Sequence, residues 1–379
     1  MRITVAIDSF KGSLSSLRAG EAVREAALSL DKTTEVFVRP IADGGEGTVE
    51  ALSVGMGGRL VKVRVAGPLF DPLDATYAIL PDEKTAVIEM AAAAGITLVP
   101  KEKLNPLLTT TYGVGEMIKD AISRGCRRFI IGIGGSATND GGVGMLSALG
   151  YEFLDEDGVP IAPSGGGLDF LVSISAERAL PELRECSFRI ACDVKNPLCG
   201  ENGCSLVYGP QKGATPEAVK FMDRGLALYA RVAATVSDNA DPDYPGAGAA
   251  GGLGFAFRTF LGASLSSGIG IVLEETHLED YIKDSDLVIT GEGRLDSQTV
   301  MGKAPVGVAA IAKKYGKPVI AFSGCATRDA DVCNEHGIDA FFPISQGACT
   351  LAEAMDEENA FFNLKATAKQ ALNLFSLSK

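Results

Sequence analysis

The sequence predicts an α/β protein with two dissimilar α/β domains. One is doubly wound, its parallel sheet built from both chain ends. The other is a mixed-sheet α/β insertion. Strand and helix patterns alternate at both ends of the chain, as they do where helices cover both faces of a parallel sheet. The middle loses that alternation and collects most of the long glycine-rich loops. A length of 379 residues also exceeds what one ordinary core organises. The expected division gives 1–62 and 284–379 to the first domain and 63–283 to the insertion.

The elements follow in order. Ile3-Thr4-Val5-Ala6-Ile7 reads as a buried strand. Over 17–30, Leu17, Ala22, Val23, Ala26, Ala27 and Leu30 recur near helical spacing, preceded by Ser13, Ser15 and Ser16 as candidate caps. Residues 35–40 give a second strand, and ADGGEGT (42–48) is a loop opening a helix near 49–52. Residues 59–65 alternate as a strand. After turns at Gly67-Pro68 and Asp71-Pro72, 76–80 and 85–90 read as antiparallel neighbours. The apolar run Phe129-Ile130-Ile131 leads into GIGGSATNDGG (132–142), and a helix follows over 143–149. From Ser285 the alternation returns: strand 287–289, helix 304–315, strands 318–322 and 340–344, and a final helix over 359–374.

Composition narrows the function. With 46% hydrophobic and 22% charged residues the profile is that of a globular protein. No apolar run approaches the ~18 residues of a membrane span. The N-terminal apolar run is too short for a secretion signal, so a cytosolic location is expected. A net charge of -13 without a basic patch argues against nucleic acid, while a few local cations still suffice for a small anion. Eight cysteines without a CxxC pair and only two histidines argue against a zinc cage and against histidine catalysis. Acid–base work then falls to carboxylates.

Six polar loops follow predicted strands, where ligands bind in open parallel sheets. They are Asp8-Ser9-Phe10-Lys11-Gly12, the 43–48 loop, 134–144, Cys192-Asp193-Val194-Lys195-Asn196-Pro197, 245–254 and Thr290-Gly291-Glu292-Gly293-Arg294-Leu295-Asp296. In GGSATNDGG the glycines let amides approach an anion, helped by the helix N-terminus that follows. It is neither a Walker loop nor a complete dinucleotide fingerprint. Tight turns between packed elements explain the glycines equally well, both here and at 245–254. Three of the loops pair a carboxylate with a nearby cation: Asp8 with Lys11, Asp193 with Lys195, and Arg294 with Asp296. Each could be a surface ion pair. Together, beside glycine-rich loops, they suit phosphoryl transfer, which needs cations for phosphate oxygens and carboxylates for Mg²⁺ and for a hydroxyl proton.

These loops resemble the bacterial glycerate kinase family of the type that phosphorylates D-glycerate. The matching stretches are DSFKGSLSS (8–16), PIADGGEGT (40–48), GIGGSATNDGGVGML (132–146), ACDVKNPLCG (191–200), YGPQKGA (208–214), PGAGAAGGLGFA (245–256) and TGEGRLDSQTVMGKAPVGVA (290–309). The likeness covers essentially the whole chain. It implies a flavodoxin-like (Rossmann-like) domain beside a second α/β domain with a cleft between them, ATP and Mg²⁺ as cofactors, and D-glycerate as the small-molecule partner. Attack by the 2-hydroxyl would give 2-phosphoglycerate, with the 3-hydroxyl as the alternative.

On this reading Asp193 is expected to take the hydroxyl proton. Lys11, Lys195 and Arg294 would hold the glycerate carboxylate and the phosphoryl group. Asp43, Glu292 and Asp296 are the Mg²⁺ candidates. Gly134, Gly135, Ser136, Thr138 and Asn139 would cradle ATP phosphates, with Asp140 nearby. No aromatic box marks an adenine site. Phe10 and Tyr208 could stack on a base, with core packing as the alternative. Neither nucleic acid nor membrane is expected as a partner, and homo-oligomerisation stays open. A phosphatase or mutase would want a DxDx[TV] nucleophile motif, which is absent, and an anion sensor would want a basic helix-turn-helix, which is not evident.

Overall fold

The structure is a computed structural model that describes residues 1–42 and 47–377. The chain forms two compact units: residues 1–43, 50–57 and 269–379, and residues 44–49 and 58–268.

The first unit opens with β1 (Arg2–Ile7), of which all but Arg2 are buried, as a strand covered on both faces requires. Helix Ser16–Leu30 is capped by Ser15, whose side chain accepts from the Arg18 amide, and buries Ala19, Ala22, Val23, Ala26 and Ala27 along one stripe. β2 (Glu35–Val38) and helix Thr48–Met56 follow.

In the second unit, β3 (Arg59–Ala66), β4 (Pro72–Ile79) and β5 (Thr85–Glu89) precede helix Tyr112–Ser123 and β6 (Arg128–Gly132). Helix Val143–Ala148, the ribbon of β7 (Glu152–Leu154) and β8 (Ser173–Ser175), and β9 (Ser187–Ala191) come next. Helices Cys204–Tyr208, Pro216–Ala233 and Ala249–Leu261 lead to β10 (Ser264–Ser266). The six-stranded sheet runs β10-β9-β6-β5-β4-β3. Its β3/β4 and β4/β5 pairs are antiparallel and the rest parallel, so the sheet is mixed. β3 pairs with β4 from Arg59 to Ala66, which places 59–62 with this unit.

The chain returns to the first unit through helices Gly268–Glu275 and Leu278–Ile282. β11 (Leu287–Leu295), helix Ala304–Lys314, β12 (Val319–Ala326), β13 (Ala340–Pro343) and helices Leu351–Met355 and Glu357–Leu377 complete it. All pairs in the sheet β13-β12-β11-β1-β2 are parallel. The chain starts on β1, steps outward to β2, then resumes on the other side of β1 at β11. This is the flavodoxin-like order, and β1/β11 is its topological switch point.

Three local readings of the sequence change. Residues 290–295 form no loop: β11 runs through Leu295 and stays paired with β12 to Ala326, because glycines at 291 and 324 let the two backbones approach closely. The 245–254 loop runs into a helix at Ala249, whose first turn is broken by Ala250, Gly251 and Gly252 in the left-handed region. The second strand ends at Val38.

Candidate active site

In the first unit, a cavity of about 380 Å³ opens at the carboxyl edge of the parallel sheet. Its walls come from the turn after β1, the end of β11, the end of β12, the segment after β13 and the last two helices. Asp8 continues β1, donating its amide to the Gly291 carbonyl (2.9 Å), and is buried. Lys11 follows on a tight turn in which the Phe10 amide donates to the Leu14 carbonyl at 2.8 Å. Glu292 and Arg294 both stand on β11, two residues apart and therefore on the same face of the strand.

Glu292 is 8% exposed. Its Oε1 accepts from Thr299 Oγ1 at 2.7 Å and its Oε2 from Lys303 Nζ at 3.2 Å. Burial raises its carboxyl pKa, and these two partners oppose that shift. Arg294, with its side chain 62% exposed, pairs through Nε with Asp296 Oδ2 at 3.2 Å. Asp296 also closes its own turn, accepting from the Gln298 amide at 2.9 Å. It does not line the cavity, whereas Lys11, Glu292, Arg294 and Lys303 do. Asp43 lies outside the described residues.

The second unit carries the glycine-rich stretch. Glu89, Gly132, Ala191 and Ser266 lie side by side at the carboxyl ends of β5, β6, β9 and β10. Beyond Gly132 the chain exposes Gly134 and Gly135, then turns inward, and Ser136 to Gly142 are buried. Ser136, Thr138 and Asn139, expected to cradle ATP phosphates, and Asp140, expected nearby, are all buried. Asp140 Oδ2 accepts from the Thr111 amide and hydroxyl, both at 2.8 Å, and from the Gly144 amide at 3.3 Å. Its Oδ1 accepts from the Gly142 amide at 3.1 Å. Desolvation still pushes its carboxyl pKa up.

Beneath this loop sits Lys212, only 2% exposed. Its ammonium donates to Ser136 Oγ (2.7 Å) and to the Thr138 carbonyl (2.6 Å). Burial pulls its pKa down to about 8, against the favourable field of Asp140. Thr109 adds a third tie, its hydroxyl donating to the Ala137 carbonyl at 2.9 Å. The sequence reading missed Lys212, Thr109 and Thr111. Lys212 did lie inside YGPQKGA, but its partners are about seventy-five residues away in the chain.

The other glycines belong to packing. Gly251, at φ 69, lies so close that a Cβ would fall 2.1 Å from the Thr138 carbonyl oxygen. The Gly141 amide donates to its carbonyl at 2.9 Å. Gly251 and Gly252 are therefore a backbone wedge behind the 134–142 loop, while Gly246 and Gly248 pack against the 192–197 segment.

Asp193 and Lys195 are exposed on the loop after β9, and Asp193 Oδ1 accepts from the Gly268 amide at 3.1 Å. Both belong to the second unit, while Lys11 and Arg294 belong to the first. Phe10 lines the cavity of the first unit yet is almost wholly buried, and Tyr208 donates its hydroxyl to Asn196 Oδ1 at 2.7 Å in the second.

A parallel sheet whose switch point opens on a pocket ringed by cations and carboxylates defines a protein that handles a small anionic ligand. The chain belongs to the glycerate kinase family, whose family model matches residues 3–376. It is similar to a glycerate kinase of Haemophilus influenzae, with 47% identity over 376 residues and 99% of each chain covered. A glycerate 2-kinase of Escherichia coli strain K12 is 48% identical over 354 residues, covering 93% of each chain. A crystal structure described as a glycerate kinase 2 from Salmonella typhimurium LT2 is 46% identical, with a TM-score of 0.92 over 100% of this chain and 99% of that one. The chain is thus a kinase, a phosphotransferase that uses ATP. Among the described residues no helix is long and apolar enough to cross a membrane.

The residues also fit Mg²⁺. Among the described residues no three His, Cys, Asp or Glu side chains gather into a cage. Mg²⁺ does not need one, since one or two carboxylates with phosphate oxygens and water complete its octahedron. Asp8 and Glu292, in one pocket, are such a pair.

Proposed function

We propose that this protein transfers the γ-phosphoryl group of ATP to the 2-hydroxyl of D-glycerate, giving 2-phosphoglycerate and ADP, with Mg²⁺ bound, in the cytoplasm. The observation that carries the reading is the cavity of the first unit, where Lys11, Arg294 and Lys303 face Asp8 and Glu292 in a chain whose net charge is -13. A local excess of cations on an acidic protein is what anionic substrates require.

Asp8 and Glu292 would hold Mg²⁺, which when bound neutralises phosphate charge. Lys11 and Arg294 in the first unit, and Lys195 in the second, each supply positive charge for the glycerate carboxylate or the phosphoryl group, so the protein's contribution is positioning and charge. Asp193 accepts the proton as the glycerate oxygen attacks phosphorus. Gly134 and Gly135, both exposed, offer their amides to phosphate oxygens, and Ser136, Thr138, Asn139 and Asp140 act through them by fixing the loop from inside.

A coupled assay with ATP, Mg²⁺ and D-glycerate tests the activity, and ³¹P NMR of the product reads which hydroxyl is phosphorylated. A phosphorus signal at the 3-position overturns the regiochemistry. In the same assay Asp193→Asn is expected to lower kcat at least tenfold, and a smaller loss removes it as the base.

A further inference from the structure

We propose that the cavity of the first unit seats the adenosine half of ATP, the base lying on the apolar wall of Ile344, Leu351, Ala354 and Met355. This rests on the reading of ATP as phosphoryl donor and adds where its nucleoside binds.

Size is the first argument. The cavity measures about 380 Å³. Pockets that enclose a drug-sized ligand begin at about 300 Å³, and a three-carbon acid would leave most of this one empty.

Polarity is the second. D-glycerate is hydroxyls and a carboxylate throughout and has no apolar face to bury. The cavity has two chemically distinct ends. Lys11, Arg294 and Lys303 supply positive charge, while helix Leu351–Met355 presents apolar side chains. That helix is an ordered element, fixed by a reciprocal cap in which Thr350 and Glu353 bond each other's backbone amides, yet it buries none of its residues. Leu351 is 78% exposed. Apolar side chains held in place beside a cavity and left uncovered suit a flat aromatic ligand. Ser345 and Asn363 line the same cavity and offer hydroxyl and amide groups for a purine edge.

Topology is the third argument. The wall residues Asp8 to Lys11 leave β1, and Glu292 to Arg294 end β11, so the cavity sits at the switch point of a flavodoxin-like sheet, where nucleotides bind.

The chain has no tryptophan, so Leu351→Trp in the full-length protein is a sole fluorescent reporter at an exposed position. Adenosine and ATP, each without D-glycerate, are expected to shift its emission. Ala354→Trp, which fills the cavity from an exposed residue, is expected to raise KM for ATP at least tenfold and leave KM for D-glycerate within twofold. Emission that fails to respond to adenosine overturns the proposal, as does an Ala354→Trp effect confined to KM for D-glycerate. Adenosine is read without turnover, so a positive titration beside a negative product assay sinks the proposed reaction and supports the nucleoside site.

Discussion

At the residue scale, Lys212 is the least conventional side chain in the molecule. An ammonium taken out of water is stabilised only where nearby acceptors replace its hydration. Ser136 Oγ and the Thr138 carbonyl supply two, and the deficit shows as a pKa near 8 against 10.5 for a solvated lysine. Below pH 8 both the folded and the unfolded chain hold this proton, and the burial penalty is constant. Between about 8 and 10.5 the unfolded chain holds more of it, so this group makes stability rise with pH, by about 3 kcal/mol over the full interval. Lys212→Met removes that component. Urea unfolding at pH 7.5 and pH 10 should show wild type gaining on the variant at the higher pH. A gain in the opposite direction would mean that Lys212 is not buried as a strained cation.

At the element scale, the 134–142 loop and the broken helix Ala249–Leu261 explain each other. Gly251 is left-handed and also jammed against the Thr138 carbonyl, whereas Gly158 is left-handed (φ 73) with open space around it. Gly158→Ala should therefore lose only the conformational term of about 1–2 kcal/mol. Gly251→Ala carries that term and a backbone collision, so its loss of stability should exceed the Gly158→Ala loss by more than ~1 kcal/mol in urea titrations. Equal losses would show the two loops separating freely.

This pair also marks what the sequence could disclose. GGSATNDGG was visible as a special stretch, but not how its residues divide: Gly134 and Gly135 are exposed, and Ser136 to Gly142 are buried. An apolar run identified β1, helical spacing the helix over Ser16–Leu30 and alternation β3, because local sequence sets the burial of each. Local sequence could not reach Lys212 or Thr111, whose roles exist only in partners about seventy-five and thirty residues away. Nor could it show that Glu292 and Arg294 stand on a strand, since Thr-Gly-Glu-Gly reads locally as a turn. Short elements such as β7, β8 and β10 carry too few residues to display a period.

At the scale of the whole molecule, the first unit takes its sheet from both chain ends while nearly all of the second is one continuous stretch. Helix Glu357–Leu377 packs on helix Ser16–Leu30 through Ala360, Leu364, Ala368 and Leu372, within the core that also holds Ile3, Val5 and Ile7. The last helix thus supports the first strand, and with it the turn that carries Asp8 and Lys11. Leu364 is fully buried, so Leu364→Ala should lose about 2–5 kcal/mol. If the two units open as separate cooperative blocks, hydrogen exchange will localise that loss. Amides of β1, β11 and β12 should exchange faster in the variant, although β1 lies at the opposite end of the sequence. Those of β5, β6 and β9 should keep their wild-type rates. Equal acceleration in β6 and β9 would mean that the chain unfolds as one block, and the division into two units would then describe geometry without describing stability.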